Sequence, residues 1–127
     1  MRRIALALIA CAFASSAAGD ATNPWSGTWR AIYDNRHGIR DEAEVVILGA
    51  AGTWLIYSNV PSKYVPCRDQ RLPVIVKEAS AGQLSFTVDG ASLIDGCPVF
   101  SVTLARIDDN TLEGTLGNTR SLRLTRK

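Results

Sequence analysis

Trp25-Ser26-Gly27-Thr28-Trp29 is the stretch that decides the fold, because it stands where an apolar leader has ended and a run of alternating residues begins. The tripeptide returns as Gly52-Thr53-Trp54, and Gly114-Thr115-Leu116 is a worn third copy. Each copy accompanies alternating or β-branched residues, which is the period of a strand with one face buried. Within the first run, Trp29, Ala31 and Tyr33 share one face, and Thr28, Arg30 and Ile32 share the other. Trp29 is therefore expected to point inward.

Upstream, Met1-Arg2-Arg3 is followed by an apolar run from Ile4 to Ala14 and by the small residues Ser15-Ser16-Ala17-Ala18. Charged, apolar and small-residue regions in that order describe a signal peptide over residues 1–18, and the run is too short for a resident bilayer span. Cleavage after Ala18 leaves one domain of about 109 residues, with an arm at 19–26 and a β domain at 27–127. An alternative is Leu8-Ile9-Ala10-Cys11, which fits a bacterial lipobox and would attach the chain to a membrane through a lipidated Cys11. Either route implies an exported protein, periplasmic or secreted.

Arg2 and Arg3 carry the whole excess of 14 basic over 12 acidic residues, so the domain itself is formally neutral. A neutral domain lacks the basic surface that nucleic acid requires. Export leaves Cys67 and Cys97 as the two cysteines of the domain, which in an oxidising compartment implies one disulfide. Closing a loop of about 31 residues stabilises the fold by about 3.7 kcal/mol in the chain-entropy model.

Along the domain, strands are predicted at Gly27–Asp34, 42–48, 53–57, 74–79, 84–88, 99–107, Thr111–Leu116 and 121–125. Residues 59–73 hold three prolines and are expected to form the longest loop, held down by Cys67. A short extended piece is expected at 91–94, before the Asp95-Gly96 turn. No segment sustains a helical period. Short strands with hairpin-sized connections predict an all-β fold: a single small antiparallel up-and-down barrel of about eight strands, closed because closure removes exposed edges. The second and third strands carry apolar residues on both faces. Val46, Leu48, Leu55 and Tyr57, on their outer side, are expected to be covered by a loop or by another chain.

An eight-strand meander that opens with Gly27-Thr28-Trp29 and ends in a basic strand containing Arg123 and Arg126 resembles the calycin barrels, the group of lipocalins and avidins. The resemblance implies that a late basic residue lies over the early tryptophan, and strand parity assigns that role to Arg126. Biotin binding does not carry over, since Arg30-Ala31-Ile32-Tyr33-Asp34 replaces the polar ligand-binding residues of avidins. Ser26-Gly27-Thr28-Trp29 is also similar to the entry strand of small periplasmic inhibitors of bacterial metalloproteases, which place a cysteine near the first strand where this chain has none.

No catalytic constellation and no metal-ligand set stands out, and no cofactor is implied. His37 lies in a turn between Arg36 and Arg40, and the acidic residues Asp41, Glu42, Glu44, Asp108 and Asp109 fall at strand ends and turns. The chain is therefore read as a non-enzymatic binding module. One version binds a protein partner, or a second copy of itself, through the arm, the tethered loop or the outer face of the second and third strands. Its candidate residues are Asn23, Trp25, Tyr64, Arg68 and Arg71, with Val46, Leu48, Leu55 and Tyr57. The other version binds a small apolar ligand in a barrel mouth formed by Trp29, Tyr33, Trp54, Phe86, Phe100 and Arg126. Whether the interior is void or filled separates the two.

Overall fold

The structure is a computed structural model, and it describes residues 24–35, 38–57 and 67–127. The expected leader, the candidates Asn23 and Tyr64, and His37 lie outside the described residues. Eight strands run in chain order: β1 Gly27–Asp34, β2 Arg40–Leu48, β3 Ala51–Tyr57, β4 Arg71–Ala79, β5 Gln83–Asp89, β6 Val99–Asp108, β7 Thr111–Leu116 and β8 Arg120–Arg126. Each pairs antiparallel with the next, and β8 pairs with β1, so the sheet closes into an up-and-down barrel. The closing ladder runs from Trp29 opposite Arg126 to Tyr33 opposite Leu122.

Alternation explains which side chains fill the barrel. In β2 the residues Asp41, Ala43, Val45 and Ile47 face inward, and Glu42, Glu44 and Val46 lie half-buried between them on the outer wall. The same parity in the other strands delivers Trp29, Trp54, Phe86, Leu72, Leu84, Leu104, Leu112 and Leu124 to the interior, all fully buried. Two inward-facing glycines let neighbouring strands close around these rings. A Cβ on Gly52 would collide with the Val46 carbonyl oxygen, and one on Gly114 with the Thr103 carbonyl oxygen. Glycine at an inward strand position thus permits a close backbone approach, and two copies of the repeated tripeptide supply it. Ladder irregularities at Val76/Glu78 and Arg106/Asp108 bend β4 and β6 further.

One end of the barrel, which we call lower, is plugged. Trp25 is only 2% exposed, and its indole N–H donates to the Ser80 carbonyl oxygen in the β4–β5 turn at 3.0 Å. Trp29 donates in turn to the Trp25 carbonyl oxygen at 2.9 Å. Arg126 fastens this plug, with its guanidinium carbon 4.1 Å from the centre of the Trp29 ring. Its Nη1 donates to the Ser26 carbonyl oxygen at 2.9 Å, its Nη2 to that of Pro24 at 2.7 Å, and its Nε to that of Asp109 at 3.1 Å. The stacking expected of Arg126 is present, but its charge is engaged by backbone carbonyls rather than released to water. Trp25, expected on an arm open to partners, is a core residue.

Further expectations change for local reasons. The long loop ends sooner than its prolines suggested, because β4 begins at Arg71 and contains Pro73. Val76 donates to the Ala50 carbonyl oxygen on the β3 side, so alternation turns the Pro73 nitrogen toward β5. Pairing with β5 starts only at Val74, and the missing N–H costs no ladder bond. Residues 91–94 are not extended. A 3-10 turn at Gly90–Ser92 runs into them, capped by the Asp89 side chain, which accepts from the Ser92 amide. Cys67 and Cys97 are bonded, with Cα atoms 5.7 Å apart, tying the end of the β3–β4 connection to the β5–β6 connection at the upper end.

Candidate functional site

At the upper end, Tyr33 is the last inward residue of β1 and Asp41 the first of β2, and the register sets them opposite each other. Asn35 organises the connection between them. Its side-chain NH2 donates to Asp41 Oδ2 at 3.1 Å, and its side-chain oxygen accepts from the Ile39 amide at 3.1 Å. Asp41 Oδ1 is buried and has no hydrogen-bond partner among the described residues, and the indole N–H of Trp54 is in the same condition. The Tyr33 hydroxyl is pushed well above its ordinary pKa, first by burial and then by the negative charge of Asp41. The Trp54 indole N–H and Arg120 oppose that rise. The indole approaches Tyr33 without reaching hydrogen-bond geometry.

Trp54 is the hub of an aromatic cluster. Its ring lies 5.7 Å from Tyr33, 6.2 Å from Phe86 and 5.2 Å from Phe100, the last edge-on, within the range where tilted rings attract. Four of the six expected mouth residues are therefore brought together. Trp29 and Arg126 are not among them, since they close the lower end. The cluster does not line an empty mouth: Trp29 and Trp54 are both 0% exposed, as are Val45, Leu72, Leu84, Val88 and Leu124 around them. A void large enough for water would register as exposed surface on its walls, so the barrel is filled at the height of these residues.

The candidate partner residues scatter. On the outer wall Leu48 is 69% exposed and Tyr57 47%, Val46 is half-buried, and Leu55 is covered at 8%. Within the single chain, then, Leu55 alone of the four is covered, and Leu48 and Tyr57 are the ones left for another chain to cover. Arg71 pairs with Glu44 at 3.5 Å, and Lys127 meets the other oxygen of the same carboxylate at 2.9 Å. Lys127 foremost, with Arg71, holds Glu44 below the usual carboxylate range, while Arg30 does the same for Glu42. Arg68 lies in the tethered loop beside Asp69, at 3.5 Å. Among the described residues no group of three His, Cys, Asp or Glu side chains stands close enough to hold a metal ion.

Sequence reasoning passed over two features of the upper end. Leu93, Ile94 and Val99 are exposed around the β5–β6 connection, which the disulfide pins. The second feature is an open groove of about 480 Å³ along the upper seam between β1 and the β7–β8 hairpin, with Tyr33 in its wall. The apolar pair Leu93-Ile94, set beside a turn, was the available signal for the first. No sequence pattern announces the second, because it forms where two strands distant in the chain part. Comparison with protein-family models, with curated proteins and with solved structures finds no match for this chain.

Proposed function

We propose that this chain is an exported, non-enzymatic binding module that engages a protein partner through its surface. The observation that carries the reading is the filled interior: with Trp29 and Trp54 wholly buried among aliphatic side chains, the described residues leave no room for an apolar ligand at that height of the barrel. Recognition then falls to the exterior, where Leu93, Ile94 and Val99 are presented beside the disulfide, with Leu48 and Tyr57 on the outer wall. Apolar side chains held on a tethered loop lose little freedom on binding, which favours them as anchors. The disulfide fits an oxidising compartment, and the leader at 1–18 narrows this to the periplasm or the exterior. The closed meander and the Arg126–Trp29 stack support kinship with the calycin barrels, with the inhibitor barrels as the functional analogue.

The test is capture from envelope and secreted fractions on immobilised, disulfide-intact protein, comparing the native chain with Leu93→Glu/Ile94→Glu. A specific partner retained by the first and lost by the second supports the proposal. Tight, saturable uptake of an apolar fluorescent probe such as N-phenyl-1-naphthylamine, with no protein captured, would move the function to a small apolar ligand.

A further inference from the structure

We propose that the upper seam of the barrel is a binding site for a neutral, hydroxyl-rich molecule, a sugar or polyol. This goes beyond the protein-binding reading and does not depend on it. The β1–β8 ladder stops at Tyr33 opposite Leu122, although the strands run on to Asp34 and Arg120. Where they part lies the groove of about 480 Å³, a size within the range of small-molecule sites.

The chemistry of its walls selects the ligand. One wall carries Asp34 and Arg40, paired at 3.2 Å, and the other Glu113 and Arg123, paired at 3.7 Å. Each wall is electrically balanced, so neither a cation nor an anion gains a net countercharge. Each nonetheless presents both donors and acceptors on planar groups, the arrangement that matches neighbouring hydroxyls. Ile32, Tyr33 and Leu122 add apolar surface for the C–H face of a ring.

Next to Tyr33 are two buried atoms left without a partner among the described residues, the acceptor Asp41 Oδ1 and the donor Trp54 Nε1. Asp41 faces Tyr33 across the ladder, and the Trp54 ring is 5.7 Å from it. An ammonium group can only donate and a carboxylate can only accept. A hydroxyl does both, so a hydroxyl-rich ligand offers a partner to either atom. Tyr33 lines the groove and neither Asp41 nor Trp54 does, so a ligand seated there would reach either atom only if the Tyr33 ring turned aside. Buried polar groups left unsatisfied in the closed form favour that opening.

Saturation-transfer NMR on the folded, disulfide-intact chain tests this with maltose, cellobiose and myo-inositol as neutral probes, and glucuronate and glucosamine as charged ones. Transfer to at least one neutral probe at millimolar concentration is expected, with little to the charged pair. Glu113→Ala/Arg123→Ala, at two exposed positions where truncation should leave the melting temperature nearly unchanged, should reduce that transfer at least fivefold. Tyr33→Phe, which keeps the ring but not the hydroxyl, should alter it as well. Absence of transfer to every neutral probe, equal transfer to the Glu113/Arg123 variant, or preference for a charged probe would overturn the proposal.

Discussion

Replacing Arg126 with alanine removes more than a surface charge. Its guanidinium stacks on Trp29 at 4.1 Å and donates to three backbone carbonyls, two of them in the segment that carries the Trp25 plug. Stacking contributes about 0.5 to 2 kcal/mol. Hydrogen bonds from a charged donor contribute about 1.5 to 3 kcal/mol each when desolvated, but Arg126 is only half-buried, which discounts them. Arg126→Ala should therefore cost about 2 to 4 kcal/mol, and Trp29→Ala about 3 to 5 kcal/mol from lost burial and the cavity left behind. The double mutant should lose less than the sum by about 1 to 2 kcal/mol, since each change removes the other's partner. Arg126→Lys should fall between, because an ammonium keeps the charge but not the planar fork. Urea unfolding followed by tryptophan emission measures all four, and release of Trp25 should also shift native-state emission to the red. A cost for Arg126→Ala within about 0.5 kcal/mol, the range of an ordinary surface change, together with an additive cycle, would refute the clasp.

Other consequences follow from the same geometry. Replacing both Cys67 and Cys97 with serine should cost about 3.7 kcal/mol on the chain-entropy estimate, read as a lowered urea midpoint that reducing agent reproduces in the native chain. Gly52→Ala and Gly114→Ala each set a Cβ against a neighbouring carbonyl oxygen and should cost at least about 1 to 3 kcal/mol. Gly82→Ala, with open space around it, serves as the neutral control in the same thermal melts. The Tyr33 pKa is raised in the fold, so the unfolded chain loses that proton first. Its contribution to stability is whole below about pH 10 and declines as pH climbs above it. Tyr33→Phe should flatten that alkaline decline in denaturation curves, and absorbance titration should find one tyrosine that ionises only on unfolding.

Much of the barrel was legible because it rests on local signals. Alternation in β1 set Trp29, Ala31 and Tyr33 inward, and turn residues bounded β1 and β7 at the observed ends. Parity also brought Arg126 to Trp29 across a separation of almost the whole domain. What was missed depends on neighbours that a linear reading does not supply. Pro73 is harmless in β4 only because β5 has not yet begun to pair there. Trp25 is core because the β4–β5 turn offers it the Ser80 carbonyl, and Trp29 and Arg126 close the lower end rather than line a mouth because the segment at 24–26 folds back onto them. The candidate groove was illegible for a related reason. It arises from the early end of one ladder, which is a property of register rather than of composition.

Whether the barrel is filled can be measured on the methyl groups of Leu72, Leu84, Leu104 and Leu124, which share the core with Trp29 and Trp54. Methyl NMR spectra of the disulfide-intact protein, titrated with a fatty acid such as laurate and with N-phenyl-1-naphthylamine, report directly on entry to the interior. A filled barrel predicts that these four methyl groups and the Trp29 indole N–H keep their shifts, while any changes stay at Leu93, Ile94 and Val99. Saturable shifts at Leu84, Leu104 and Trp29 would show a ligand inside the barrel and contradict a function carried by its surface.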